Sequence, residues 1–185
     1  MGILEDVFTA AFRKIDAPSI PQWVACIHIP MGITHCEACL KLDKCWFVDE
    51  NKPALTQHPH CHCEAIPIPF SRVLNEATAE CRYSKFNPYL FDPKGIYGHE
   101  KGPLFNKWGY TIEDSEWLRA EVEQQGLEKY IAGQYTLGEL DENGQRVNIR
   151  VEIPRKDKEG TVSFKTGWMA RANGRIELAT PYGGK

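Results

Sequence analysis

Cys36-Glu37-Ala38-Cys39 and, further along, His58-Pro59-His60-Cys61-His62-Cys63 crowd thiols and imidazoles at the spacing of metal ligands. Zn²⁺ takes a closed tetrahedron of thiolate sulfur and imidazole nitrogen in structural sites, and a C-x2-C turn followed by a second ligand pair is a common way to supply it. The expected cofactor is therefore Zn²⁺. Cys36 and Cys39 give two ligands, Cys61 gives a third, and the spacing leaves the fourth open between His58 and Cys63. Enough donors are present to close the shell, so the spacing argues for a structural rather than a catalytic metal.

Disulfides are the competing reading of seven cysteines. They need an oxidising compartment, and Met-Gly-Ile-Leu-Glu-Asp at the N-terminus lacks the basic segment and apolar stretch of an export signal. The expectation is a reduced chain, cytoplasmic or associated with a virion. An odd count also fits a metal site with bystanders better than a fully paired scaffold. Cys26, Cys45 and Cys81 read as plain buried residues. His28 lies outside the knuckle spacing and reads as a packed or hydrogen-bonded side chain, and His35 as a bystander or a support for a ligand.

With 185 residues, 42% hydrophobic and 25% charged, the chain is globular in composition and has no apolar run of membrane-spanning length. Its formal net charge is -3. The first 70 residues carry 5 basic and 8 acidic side chains and the remainder 17 of each, so neither part is a polycation that would bind nucleic acid through charge alone. No phosphate-binding loop, dinucleotide fingerprint or nucleophile elbow occurs.

The elements that must position the ligands follow from periodicity. Apolar residues at 3, 7, 11 and 15 predict an amphipathic helix stopped by Pro18. Trp23 to Ile29 and Lys44 to Val48 predict strands on either side of the first knuckle. Ile66-Pro67-Ile68-Pro69-Phe70 is a stiff exit that places a boundary near residue 70, after which Ser71 caps a helix reaching about Cys81. Thr111 with Asp114 forms a capping-box pattern for a helix over 112–131, weakened at Gly126. Four strands follow: 134–140, 146–154, 161–171 and 175–181. Asn143-Gly144 makes a tight turn, and Val147, Ile149, Val151 and Ile153 mark a buried face. The expected fold is α+β: a small zinc-knuckle module over residues 1–70, then residues 71–185 as helices packed on a four-stranded antiparallel sheet.

Trp23, Cys36-x-x-Cys39, Leu40, Leu42-Asp43, Cys45-Trp46-Phe47 and His58-Pro59-x-Cys61-x-Cys63 together resemble the phage Mu F-like minor head protein family over residues 20–69. The resemblance implies phage or prophage origin, head morphogenesis, and phage head or portal proteins as partners. Lys44 stands where that pattern has glycine, which bears on the shape of the turn. The large helical part of full-length family members is not seen here, as for a detached module.

Lys85-Phe86-Asn87-Pro88-Tyr89-Leu90, Gly98-x-x-Lys101-x-x-x-Phe105, Gly109, Thr166-Gly167-Trp168 and Leu178-Ala179-Thr180-Pro181-Tyr182 are similar to an uncharacterised domain at the C-termini of polymorphic toxins and phage head proteins. Helices followed by an antiparallel sheet also resemble the metal-independent ribonucleases of the barnase, EndoU, colicin and RelE group, an analogy of fold alone. That resemblance implies RNA as substrate. His99 would serve as acid or base, Lys101 and Arg150 would offset phosphate charge, and Thr180 and Tyr182 would position it. Each has a plainer reading: a solvated loop histidine, a charge on an outer strand face, a threonine chosen for strand propensity. The primary expectation is a structural zinc protein with a C-terminal interaction domain. The alternative is a ribonuclease-like effector carried on a phage-head zinc module. Nothing in the sequence fixes an oligomeric state.

Overall fold

The computed structural model describes residues 20–29, 37–55, 62–99 and 101–183. The N-terminal helix expected over residues 3–15 lies outside them.

Strand β1 (Trp23–Ile27) is the centre of a small antiparallel sheet in the order β2-β1-β3, flanked by β2 (Trp46–Val48) and β3 (Glu64–Ile68). The aromatic and β-branched residues that favour a pleated surface form its core, with Trp23, Trp46, Phe47 and Val48 all buried. The segment read as a stiff exit is an edge strand instead. Pro67 sits opposite Val24, and an edge tolerates a residue with no amide hydrogen. A short helix α1 (Glu37–Leu42) precedes β2. Between them Lys44 holds φ at +61°, the left-handed region that favours glycine.

The second sheet has five strands in the order β4-β8-β7-β6-β5. Four are the antiparallel meander expected from alternation: β5 (Thr136–Asp141), β6 (Gly144–Pro154), β7 (Thr161–Ala170) and β8 (Arg175–Thr180). Val147, Ile149, Val151 and Ile153 are fully buried, as their spacing requires. The fifth is β4 (Thr78–Glu80), which pairs parallel with β8. The helix expected to reach Cys81 therefore ends early, as α2 (Phe70–Glu76). Ala77 turns extended and the Thr78 amide donates to the Gly174 carbonyl at 3.2 Å, so this stretch satisfies its backbone on the open edge of β8.

A short helix α3 (Lys101–Asn106) leads towards the long helix α4 (Ser115–Ile131). Asp114 accepts from the Thr111 amide at 2.8 Å, closing the expected capping box through one 3-10 turn, Ile112–Asp114. Leu118, Val122, Gly126 and Tyr130 recur every fourth residue and are all buried. Gly126 has a packing reason: a Cβ there would run into the Trp168 indole. That indole donates to Thr166 Oγ1 at 2.8 Å, and Thr166 donates on to the Ile149 carbonyl at 2.8 Å.

One hydrophobic core runs from Trp23 and Phe47 of the small sheet to Ile149 and Trp168 of the large one. Two tyrosines tie the sheets polar atom to polar atom. Tyr130 Oη donates to the Trp46 carbonyl at 2.6 Å, and Tyr135 Oη accepts from the Val48 amide at 2.7 Å. Among the described residues no helix is long and apolar enough to cross a membrane.

Candidate functional site

The β1–β3 register pairs Ile27 with Glu64, so one step further the chain sets His28 opposite Cys63. Their Nδ1 and Sγ atoms are 3.5 Å apart. Cys39, buried on α1, brings a second sulfur to the same place. The ligand atoms of His28, Cys39 and Cys63 all lie within 4.8 Å of one another. Asp43, at the end of α1, accepts from the His28 amide at 2.9 Å and so fixes this helix to the end of β1.

That donor set fits a tetrahedral metal. Bonds of about 2.0–2.3 Å to nitrogen and sulfur would hold such ligands roughly 3.5–4 Å apart. Of the residues singled out by spacing, Cys39 and Cys63 are brought together; Cys36, His58 and Cys61 lie outside the described residues. His28 was missed. Its signal was not knuckle spacing but strand pairing, since an imidazole just past β1 must face the residue just before β3.

A second cluster forms around Tyr89. Asp92 accepts from the amides of Ile96 at 2.7 Å, Tyr97 at 3.0 Å and Gly98 at 3.2 Å, which folds the loop back over Tyr89. His99 then meets the Tyr89 ring edge-on, with centroids 4.7 Å apart, and stacks on Tyr97 at 6.2 Å. From α3, Lys101 Nζ donates to Tyr89 Oη at 2.8 Å and to Thr180 Oγ1 at 2.9 Å. Gly102 allows this close approach, because a Cβ there would strike the Phe91 backbone, and Phe105 anchors the helix in the core. Lys85 Nζ donates to the Ala179 carbonyl at 2.8 Å and lies 5.6 Å from the centre of the Tyr89 ring.

Burial pushes the Tyr89 phenol up, but the hydrogen bond and charge of Lys101, the Thr180 hydroxyl and Lys85 more than offset it and leave its pKa below the ordinary tyrosine value. His99 Nε2 is buried and has no hydrogen-bond partner among the described residues.

The structure thus gathers His99, Lys101 and Thr180. Tyr182 joins through its backbone, whose carbonyl accepts from Thr180 Oγ1 at 3.0 Å, while its ring packs on Phe105 and Phe164. Arg150 stands elsewhere, exposed on β6 with its guanidinium 3.4 Å from Ser163 Oγ. Tyr89 and Lys85 were absent from the expected set; both lie in the Lys85-to-Leu90 motif.

Residues 73–185 match the family described as Domain of unknown function (DUF6883). No curated protein and no solved structure matches the chain.

Proposed function

This chain belongs to the DUF6883 family of domains of unknown function, and we propose that it is a zinc-stabilised, phage- or prophage-derived protein whose metal is structural and whose C-terminal domain carries the working surface. The observation that supports the metal is the convergence of His28, Cys39 and Cys63. With a fourth ligand from Cys36, His58 or Cys61, the shell is closed to water, and binding of the cation supplies folding free energy on the order of 10 kcal/mol. Asp43 orients the His28 backbone, and no step of chemistry is assigned to the metal. The link to phage heads rests on the sequence resemblance over residues 20–69.

The test is elemental analysis of purified protein. One zinc per chain is expected, and His28→Ala and Cys63→Ser should each lower metal content and melting temperature. A folded wild-type protein with no bound metal overturns the reading. The phage connection is tested separately, by whether the chain sediments with heads from an induced lysogen.

A second reading is favoured by the Tyr89 cluster: cleavage of RNA without a metal. With the Tyr97 loop displaced to uncover its buried Nε2, His99 takes the proton of a ribose 2′-hydroxyl, whose oxygen attacks phosphorus. The bond to the 5′-oxygen breaks and that oxygen takes the Tyr89 proton, leaving a 2′,3′-cyclic phosphate and a 5′-hydroxyl, while Lys101 offsets charge on the phosphoryl oxygens. Labelled RNA incubated in EDTA reads this out. Cleavage that persists under chelation and is lost in His99→Ala supports it; intact RNA overturns it.

A further inference from the structure

Lys85 and Lys101 flank one aromatic ring, and among the described residues neither ammonium pairs with a carboxylate. Two partly buried cations with only neutral partners form a place that an anion would complete. On the other side of Lys85 lies a cleft of about 300 Å³, walled by Arg82, Arg146 and Arg171 with Glu80 and Glu177. Lys85 belongs to both, because the Ala179 carbonyl it holds also lines the cleft.

Two of the three arginines of this cleft, Arg171 and Arg146, are held by short contacts. Arg171 pairs with Glu177 at 2.8 Å and donates to the Asn143 carbonyl at 2.7 Å, and Arg146 pairs with Asp141 at 2.8 Å. Of the cations lining the cleft, the three arginines each pair with a carboxylate, and Lys85 alone has only neutral partners among the described residues. Beside the cluster, the Tyr97 ring is 46% exposed while stacking on His99. Tyr83, in the same turn as Lys85, is equally exposed. Accessible aromatic faces next to a cationic groove are what unpaired bases and their phosphates require together.

We propose that the cleft of Arg82, Arg146 and Arg171 and the Lys85–Tyr89–Lys101 cluster form one track for single-stranded RNA, with Lys85 bridging two neighbouring phosphates and Tyr97 stacking a base. The assignment rests on the RNA reading of the Tyr89 cluster and adds where the strand runs. A duplex is excluded from the track because its bases are stacked on one another and withheld from the tyrosines.

The probe is a fluorescent 2′-O-methyl RNA octamer, which lacks the attacking hydroxyl and so reports binding without cleavage. Anisotropy with the full chain is measured across a salt series. Arg82→Gln, at a side chain 70% exposed, and Lys85→Gln should each weaken binding and flatten the plot of log affinity against log salt by about 0.7 for each phosphate no longer neutralised. Arg150→Gln, off the track, should leave both unchanged. Unaltered binding in Arg82→Gln and Lys85→Gln, an equal loss in Arg150→Gln, or equal affinity for the duplex octamer overturns the track. Unmodified RNA that stays intact while the octamer shows the expected dependence sinks the cleavage reading and leaves the track standing. Cleavage at subsaturating RNA that neither substitution slows does the reverse.

Discussion

The Tyr130 hydroxyl on helix α4 donates to the main-chain carbonyl of Trp46 on β2 at 2.6 Å, and both partners are buried. This bond joins the small sheet to the element that packs on the large one, so the sheets should melt as one unit. Tyr130→Phe keeps the ring and strands the carbonyl without a donor, at a loss of about 1–3 kcal/mol. Calorimetry should show a single transition in wild-type protein and a single, lower one in the variant. Two separate wild-type transitions would show that the sheets do not depend on each other.

Gly126→Ala tests a packing claim against a propensity claim. Alanine is the better helix former by about 1 kcal/mol. Here the new methyl meets the Trp168 indole, whose own hydrogen bond to Thr166 leaves it little room to retreat. Overpacking a tight core costs about 1–3 kcal/mol. Urea titration should therefore show net destabilisation; a more stable variant would mean that the indole moves freely.

Much of the architecture was legible because periodicity reports burial directly. The alternation from Val147 to Ile153, the Asn143-Gly144 turn and the Thr111–Asp114 box each express a local rule. What was not legible depended on pairing between distant segments. Thr78–Glu80 is extended because β8 offers it an edge, and Pro67 lies in a strand because that strand has one neighbour. The same holds for the sites. Cys39 and Cys63 could be read from spacing, whereas His28 reaches them only through the β1–β3 register. His99, Lys101 and Thr180 were named singly, and Tyr89, which joins them, became visible only once the loop held by Asp92 had closed.

Tyr89 should titrate at lower pH than an ordinary tyrosine because the neighbouring ammonium groups favour its phenolate. Replacing the nearest, Lys101→Met, removes a hydrogen bond and a charge that stabilise the ionised form, so the pKa must move up. Ultraviolet difference absorption near the phenolate band, with Tyr89→Phe to assign the signal, follows the transition. A downward shift or none in Lys101→Met would show that Lys101 does not govern the phenol.

Lys44 is the residue that departs from the phage-head pattern, and its backbone explains what a glycine does at such a position. At φ +61° a Cβ crowds the following carbonyl, a strain of about 1 kcal/mol for an L-residue. The turn is nevertheless fixed from both sides. The Lys44 amide donates to the Cys26 carbonyl at 2.6 Å, and the Lys44 carbonyl accepts from the Asn173 amide at 2.8 Å. The side chain is exposed and can be removed without leaving a cavity. Lys44→Gly should then relieve strain and keep both bonds, raising stability by about 1 kcal/mol, or about 2–4 °C in melting temperature for a chain of this size. Because both bonds that fix the turn after α1 are kept, the same substitution should leave the metal content found by elemental analysis unchanged. A lower melting temperature would mean that the lost freedom of the unfolded glycine outweighs the relief of strain.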